Sequence, residues 1–153
     1  RVAHKDGTLQ DIDLSGAKLS EATFATADLT AIDLTGATLE HAYFHEANLQ
    51  NAQFSNATMT FANLRGAKAD SANFENANLA NANFARADLT GVNFKNADLT
   101  GANFWETTLI GADLTGATLL NASLADVTCD ETTTLPDGSK WSEDVDWARF
   151  TGA

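Results

Sequence analysis

One cysteine, one proline, one methionine and one tyrosine occur in 153 residues, and 9 Lys and Arg stand against 21 Asp and Glu. A single cysteine cannot close an internal disulfide, so no cross-linked framework holds the chain and its redox compartment is not legible. No stretch of about 18 apolar residues is present, which excludes a membrane-spanning helix. No signal peptide precedes Arg1, as expected of a mature fragment whose targeting sequence is absent. Catalytic signatures are missing too: no Gly-rich phosphate loop, no nucleophile elbow and no Cys/His ligand spacing occurs. The expectation is therefore a non-enzyme with no cofactor and no metal, built as one domain.

What is there is a period. From Leu14 to Leu124 every fifth residue belongs to one series of 23 positions, of which 14 are Leu and 7 are Phe, with Met59 and Ala69 as the departures. Two residues earlier in each unit the same 23 positions hold 19 Ala, the others being Ile12, Ile32, Val92 and Thr107. A fixed period means one structural unit stacked on itself. An α-helix would rotate a five-residue series by about 140° per repeat and smear it around the surface. A flat strand alternates its faces with period two, so an odd period would send successive Leu and Phe to opposite sides. The remaining solution is a chain that runs extended for about three residues and turns a corner in every repeat.

The aromatic residues set the number of corners. Phe24, Phe44, Phe54, Phe74, Phe84, Phe94 and Phe104 all fall on alternate repeats, so the deeper period is ten and the coil has an even number of sides. A four-sided coil of twenty residues keeps two opposite walls rich in Phe and two lined by Leu. It also sets Met59 across from the undersized Ala69, where the flexible thioether fills the space. About six such coils would make a rod about 29 Å long at about 4.8 Å per coil.

Units such as ANLQN, ANLAN, ADLTG and VNFKN resemble the A(D/N)Lxx motif of the pentapeptide-repeat family. The resemblance runs over roughly residues 8 to 129 without insertion and implies an all-β fold, a right-handed quadrilateral parallel β-helix, with a short C-terminal helical cap. The segment TTTLPDGSKW resembles the ends of many cyanobacterial and chloroplast members. That likeness implies the thylakoid lumen or the periplasm, with the cytoplasm as the alternative.

Both ends of such a rod need covers. Residues 1–8 have left the repeat and form the expected N-terminal cap, followed by the β-helix over 9–129. Cys129 is the last residue in inward register and is expected to be a buried hydrophobe rather than a reactive thiol. Residues 130–153 form the expected C-terminal cap: Thr134 breaks the pattern, the LPDG of 135–138 makes a turn, and Ser142 is placed as a helix N-cap before Glu143 and Asp144. Trp141, Val145, Trp147 and Phe150 would supply the apolar side of that helix.

With the interior filled by Leu and Phe there is no pocket, and function must lie outside. His41 and His45 with Glu40 and Glu46 straddle a corner instead of sharing a face, and the stacked Asp13 and Asp33 read as a solvated pair. One side carries Thr23, Tyr43, Asn63, Asn83, Asn103 and Ser123 beside Ala25, His45, Arg65, Ala85, Trp105 and Ala125. It is nearly uncharged, and Tyr43, His45, Arg65 and Trp105 give it the composition of an interface centre. Ile110 and Leu120 are candidates for cover by the terminal helix. The expected function is a rigid scaffold that binds a protein partner, docking on a larger assembly such as a photosynthetic membrane complex without inserting into the membrane; neither the partner's identity nor the oligomeric state is readable.

Two other readings remain. Some members of the resembled family are DNA-mimicking topoisomerase inhibitors, and the net charge of −12 invites that alternative. However, Lys18, Arg65, Lys68, Arg86 and Lys95 interrupt the acids, whereas a phosphate mimic needs dense rows of one sign against DNA's one charge per about 1.7 Å. No nucleic-acid partner is expected. Ice binding would need flat Thr arrays, and only Thr58 and Thr60 flank the same inward residue.

Overall fold

The computed structural model describes residues 12–152, so the expected N-terminal cap over residues 1–8 lies outside the described residues. Every repeat follows the same course. The residue between the small inward side chain and the Leu or Phe is the ladder residue, and it pairs in parallel with the residue twenty further on, from Asp13 with Asp33 to Thr108 with Thr128. Two corner residues follow. The second lies in the left-handed region, at φ 55–62° for sixteen residues other than glycine. Pairing is thus one residue wide on each side, and no continuous strand forms among the described residues.

The backbone hydrogen bonds explain why five residues suffice. The ladder N–H donates to a carbonyl in the preceding coil, as Asp33 does to Ile12 at 3.2 Å. The Leu or Phe N–H donates to the following coil, as Leu14 does to Asp33 at 2.7 Å, and so does the second corner N–H, Gly16 to Thr35 at 2.8 Å. The Ala N–H closes the corner onto the Leu or Phe three residues back, Ala17 to Leu14 at 3.0 Å. Only the first corner N–H is left over. Asp or Asn at the ladder position takes it with a side-chain oxygen, as Asp13 does for Ser15 (2.8 Å), Asn83 for Ala85 (3.0 Å) and Asp113 for Thr115 (3.0 Å). The motif's Asp/Asn is therefore a corner clamp, and where it is present all five donors of the repeat are satisfied.

Inside, the Phe residues form two columns that touch each other. Rings twenty apart stack, at 4.8 Å for Phe54 and Phe74 and 5.1 Å for Phe84 and Phe104. Rings ten apart meet edge to face, at 5.7 Å for Phe44 and Phe54 and 6.0 Å for Phe74 and Phe84. Contact at ten across the core and at twenty along it is the geometry of a four-sided coil. Met59 and Ala69 are both fully buried. Thr107, standing where Ala is the rule, is buried and donates its hydroxyl to the Phe84 carbonyl at 2.8 Å.

The C-terminal end departs from the sequence expectation. The wall does not stop at Cys129: one extra residue is absorbed, Thr134 pairs with Asp113 at a spacing of 21, and Leu135 takes the inward place with 1% exposure. Thr133 fills the Ala position and donates its hydroxyl to the Leu109 carbonyl at 2.8 Å. The chain then turns through Leu135–Gly138 and Thr134 pairs antiparallel with Lys140. The helix α1 spans only Ala148–Thr151, with Trp147 rather than Ser142 at its N-cap. Asp146 holds the Ala148 N–H at 3.0 Å in a local turn, and together with the β-branched Val145 it makes 142–147 a poor helix former.

Candidate interaction face

The ladder column Thr23, Tyr43, Asn63, Asn83, Asn103 and Ser123 runs along one side of the coil stack, each residue paired with the next. Tyr43 is 46% exposed, and Asn63, Asn83 and Asn103 are half-buried. Asn103 donates from its amide to Asn83 at 3.4 Å. In the adjoining corner column His45 is half-buried, Arg65 is exposed and Ala85, between Arg65 and Trp105, is buried. The four residues singled out in the sequence thus fall on one side. Trp105 is not an open aromatic, however. The Arg86 guanidinium lies 4.6 Å from its ring centroid, and Arg86 Nε donates to Glu106 at 2.7 Å, so charge and ring form one ladder.

The opposite edge of the same face is more apolar. Phe61, a corner residue outside the inward series, is 54% exposed in a left-handed conformation at φ 58°. Its ring stacks on His41, twenty residues earlier, at 5.0 Å and nearly parallel. Leu120 stands at this corner as well, 48% exposed, with Gly152 alongside it, so the terminal segment leaves it largely uncovered; Ile110 is half-buried. Phe61, Tyr43 and Leu120 are the exposed large apolar side chains among the described residues, and all three border this one face. The sequence signal was available: only Phe61 and Phe150 among the nine Phe stand outside the inward series.

Charge pairing also differs from simple stacking. Arg86 and Glu106, twenty apart, do pair. Lys95 pairs instead with Asp113 at 3.2 Å, eighteen residues away, while Glu75 accepts from Asn93 at 3.4 Å. Lys68 has no ion pair with Asp88, whose Oδ1 accepts from the Thr90 N–H (3.0 Å) and hydroxyl (2.6 Å). Among the described residues no group of three or more His, Cys, Asp and Glu could hold a metal ion. Burial pushes the Cys129 thiol up to about 11, against a smaller opposing effect of Thr133, so it remains protonated at neutral pH. At the cap, Trp147 and Phe150 are half-buried against the core with their rings 6.2 Å apart. Trp141 is half-buried and its N–H donates to the Thr133 carbonyl at 3.0 Å, whereas Val145 sits half-buried in the turn before α1.

No curated protein matches the chain. Among solved structures it is similar to HetL, a pentapeptide repeat protein involved in heterocyst differentiation regulation from the cyanobacterium Nostoc sp. strain PCC 7120, at 28% identity and a TM-score of 0.58 over 84% of this chain and 72% of that one. It is also similar to a pentapeptide repeat protein from the Arabidopsis thaliana thylakoid lumen, at 28% identity and a TM-score of 0.53 over 78% and 69%. The family model described as pentapeptide repeats matches in eight copies, across residues 8–31, 24–60, 32–68, 59–96, 70–105 and 93–128. Because those copies tile the same stretch over which ladder residues pair at twenty and Phe rings meet at ten, the chain belongs to the pentapeptide-repeat family and its fold is that family's right-handed quadrilateral β-helix.

Proposed function

We propose that this protein is a non-enzymatic docking module, a rod of about six coils that presents the face bearing Tyr43, His45, Arg65 and Trp105 to a protein partner. The observation that carries this reading is the confinement of the exposed large apolar side chains, Tyr43, Phe61 and Leu120, to one side of a rod whose interior is filled. Aromatic residues and Arg on a rigid surface supply contact area at little ordering cost. The lumenal source of one structural relative supports placing that partner in a photosynthetic membrane assembly, reached from the lumen or periplasm.

Crosslinking mass spectrometry on native extract tests the proposal. Crosslinks should map to the Tyr43–Trp105 side, and replacing Tyr43, Arg65 and Trp105 together by Ala should weaken capture by more than about 2 kcal/mol with the melting curve preserved. Full-strength capture by that variant removes the face from consideration. Inhibition of DNA supercoiling by the intact protein would replace the docking reading with DNA mimicry.

A further inference from the structure

We infer that the docking face selects a partner segment carrying a carboxylate a few residues from an apolar side chain, seated across residues 61–68. This rests on the docking reading above and specifies the partner's chemistry. Among the described bases, Arg86, Lys95 and Arg149 are tied to Glu106, Asp113 and Asp137, and Lys140 donates to the Thr132 carbonyl at 2.9 Å and to the Thr134 hydroxyl. Lys18, Arg65 and Lys68 remain; Lys18 stands alone in the first described coil, whereas Arg65 and Lys68 occur together. Both are exposed, they lie three residues apart around one corner, and neither makes an ion pair or hydrogen bond through its side chain with a described residue.

The acids nearest in register are already committed or displaced. Asp88 is held by Thr90, Asp70 accepts from Gln50 at 3.1 Å, and Glu46 runs beneath Gly66, its Cγ 3.4 Å from where a Cβ there would stand. Arg65 and Lys68 are thus two unpaired cations at one corner of a chain whose net charge is −12.

The apolar half of the site is Phe61, at the other corner of the same side. Its column also holds Glu21, His41, Asn81, Gly101 and Asn121, of which His, Asn and Gly suit the left-handed backbone better than a phenyl ring does. His41 stacks on it and fixes its orientation, while Tyr43 lies on the face between. Asn63 separates the two halves and holds the Arg65 N–H at 3.1 Å, which fixes that corner. Phe61 to Arg65 spans four residues, at most about 13 Å of extended chain, the reach of an extended peptide whose apolar and acidic residues are two to four apart. A second copy or a nucleic acid would meet the net negative charge of the whole rod as well as this patch.

The test uses the labelled full chain against an array of immobilised ten-residue peptides. One set carries Asp or Glu two to four residues from Leu or Phe; matched sets carry Lys or Gln in place of the acid. Acidic members should bind at least tenfold better than their Lys and Gln counterparts and weaken several-fold in 0.5 M salt. R65E/K68E should abolish that preference. Phe61→Asn, which suits the corner and leaves the fold intact, should lower binding of the acidic set about tenfold. An array with no binders, equal binding of the three sets, a preference that survives R65E/K68E, tighter binding of a single-stranded RNA probe, or concentration-dependent self-association that Phe61→Asn removes would each overturn the inference. If native capture is lost with the Tyr43/Arg65/Trp105 variant while the array shows no acidic preference, the docking reading stands and only the partner chemistry falls.

Discussion

The five positions of a repeat have different tolerances because each solves a different problem. Phe74 is fully buried, stacked on Phe54 at 4.8 Å and Phe94 at 5.3 Å and edge-on to Phe84. Phe74→Ala should open a cavity with nothing to collapse into it and cost about 3–5 kcal/mol. Phe61→Asn should be neutral or stabilising, since it exchanges a bulky left-handed residue for one that accepts the conformation. Equal denaturation midpoints for the two would contradict the inward register. Corner glycines answer to the backbone first. A Cβ on Gly101 would lie 2.5 Å from the Asn81 Oδ1, whereas one on Gly36 would meet nothing within 4 Å. Both are left-handed and the exposed Asn81 amide can swing aside, so Gly36→Ala and Gly101→Ala should each cost about 1 kcal/mol of backbone strain in thermal melts.

At the scale of the corner, the Asp clamps make the fold sensitive to acid. Thr115 draws the Asp113 carboxyl below 3.8 through its hydroxyl and N–H, helped by Lys95; these outweigh partial burial, the largest single influence, which acts to raise it. Asp13, Asp130 and Asp137 are lowered foremost by the hydroxyls of Ser15, Thr132 and Ser139. A carboxylate whose folded pKa is depressed binds fewer protons folded than unfolded, so its stabilisation is complete above the unfolded value near 4 and is lost as pH falls through the folded one. Melting temperature should therefore be flat through neutrality and decline below about pH 4. Asp113→Asn keeps the clamp oxygen, and its melting curve should lose part of that acid slope.

The cap works at the same scale. The carbonyls of Thr134, Pro136 and Thr151 accept the N–H groups of Leu114 (2.9 Å), Gly116 (2.8 Å) and Asn121 (2.8 Å), each in place of a further coil. Deleting residues 135–153 removes two of those acceptors and the buried Leu135, and it leaves an open ladder edge. The truncated chain should melt lower and associate end to end in sedimentation velocity. Monomeric behaviour with unchanged stability would assign the segment another task.

For the whole molecule, stacking turns a one-dimensional pattern into surfaces. Residues twenty apart in sequence become neighbours, so the spacing of exposed side chains is fixed by the ladder and not by flexible loops. That rigidity lets Tyr43, Phe61 and Arg65 share one face although no local motif joins them. Raising salt should affect partner capture more than stability, because the exposed pairs Arg86–Glu106 and Lys95–Asp113 are each worth no more than about 1 kcal/mol. A melting curve that shifts strongly between 0.05 and 0.5 M salt would contradict this.

The four-sided coil, the inward Phe columns, the corner at every fifth residue and the side shared by Tyr43, His45, Arg65 and Trp105 were legible in the sequence, since each follows from a strict period whose contacts repeat without insertion. The stacked and edge-on contacts of Phe44, Phe54, Phe74 and Phe84 are that period made solid. What escaped depended on competition among partners that a period does not rank. Asp88 accepts from Thr90 and makes no ion pair with Lys68, Lys95 pairs with Asp113 eighteen residues away, and Arg86 covers Trp105. One inserted residue is absorbed where Thr133 and Leu135 can still reach the core, and the acidic 142–147 segment spends its backbone in turns before α1. The period determined which way each side chain points; tertiary structure alone decided which neighbours it holds, because those choices turn on differences of about 1 kcal/mol between alternative exposed contacts.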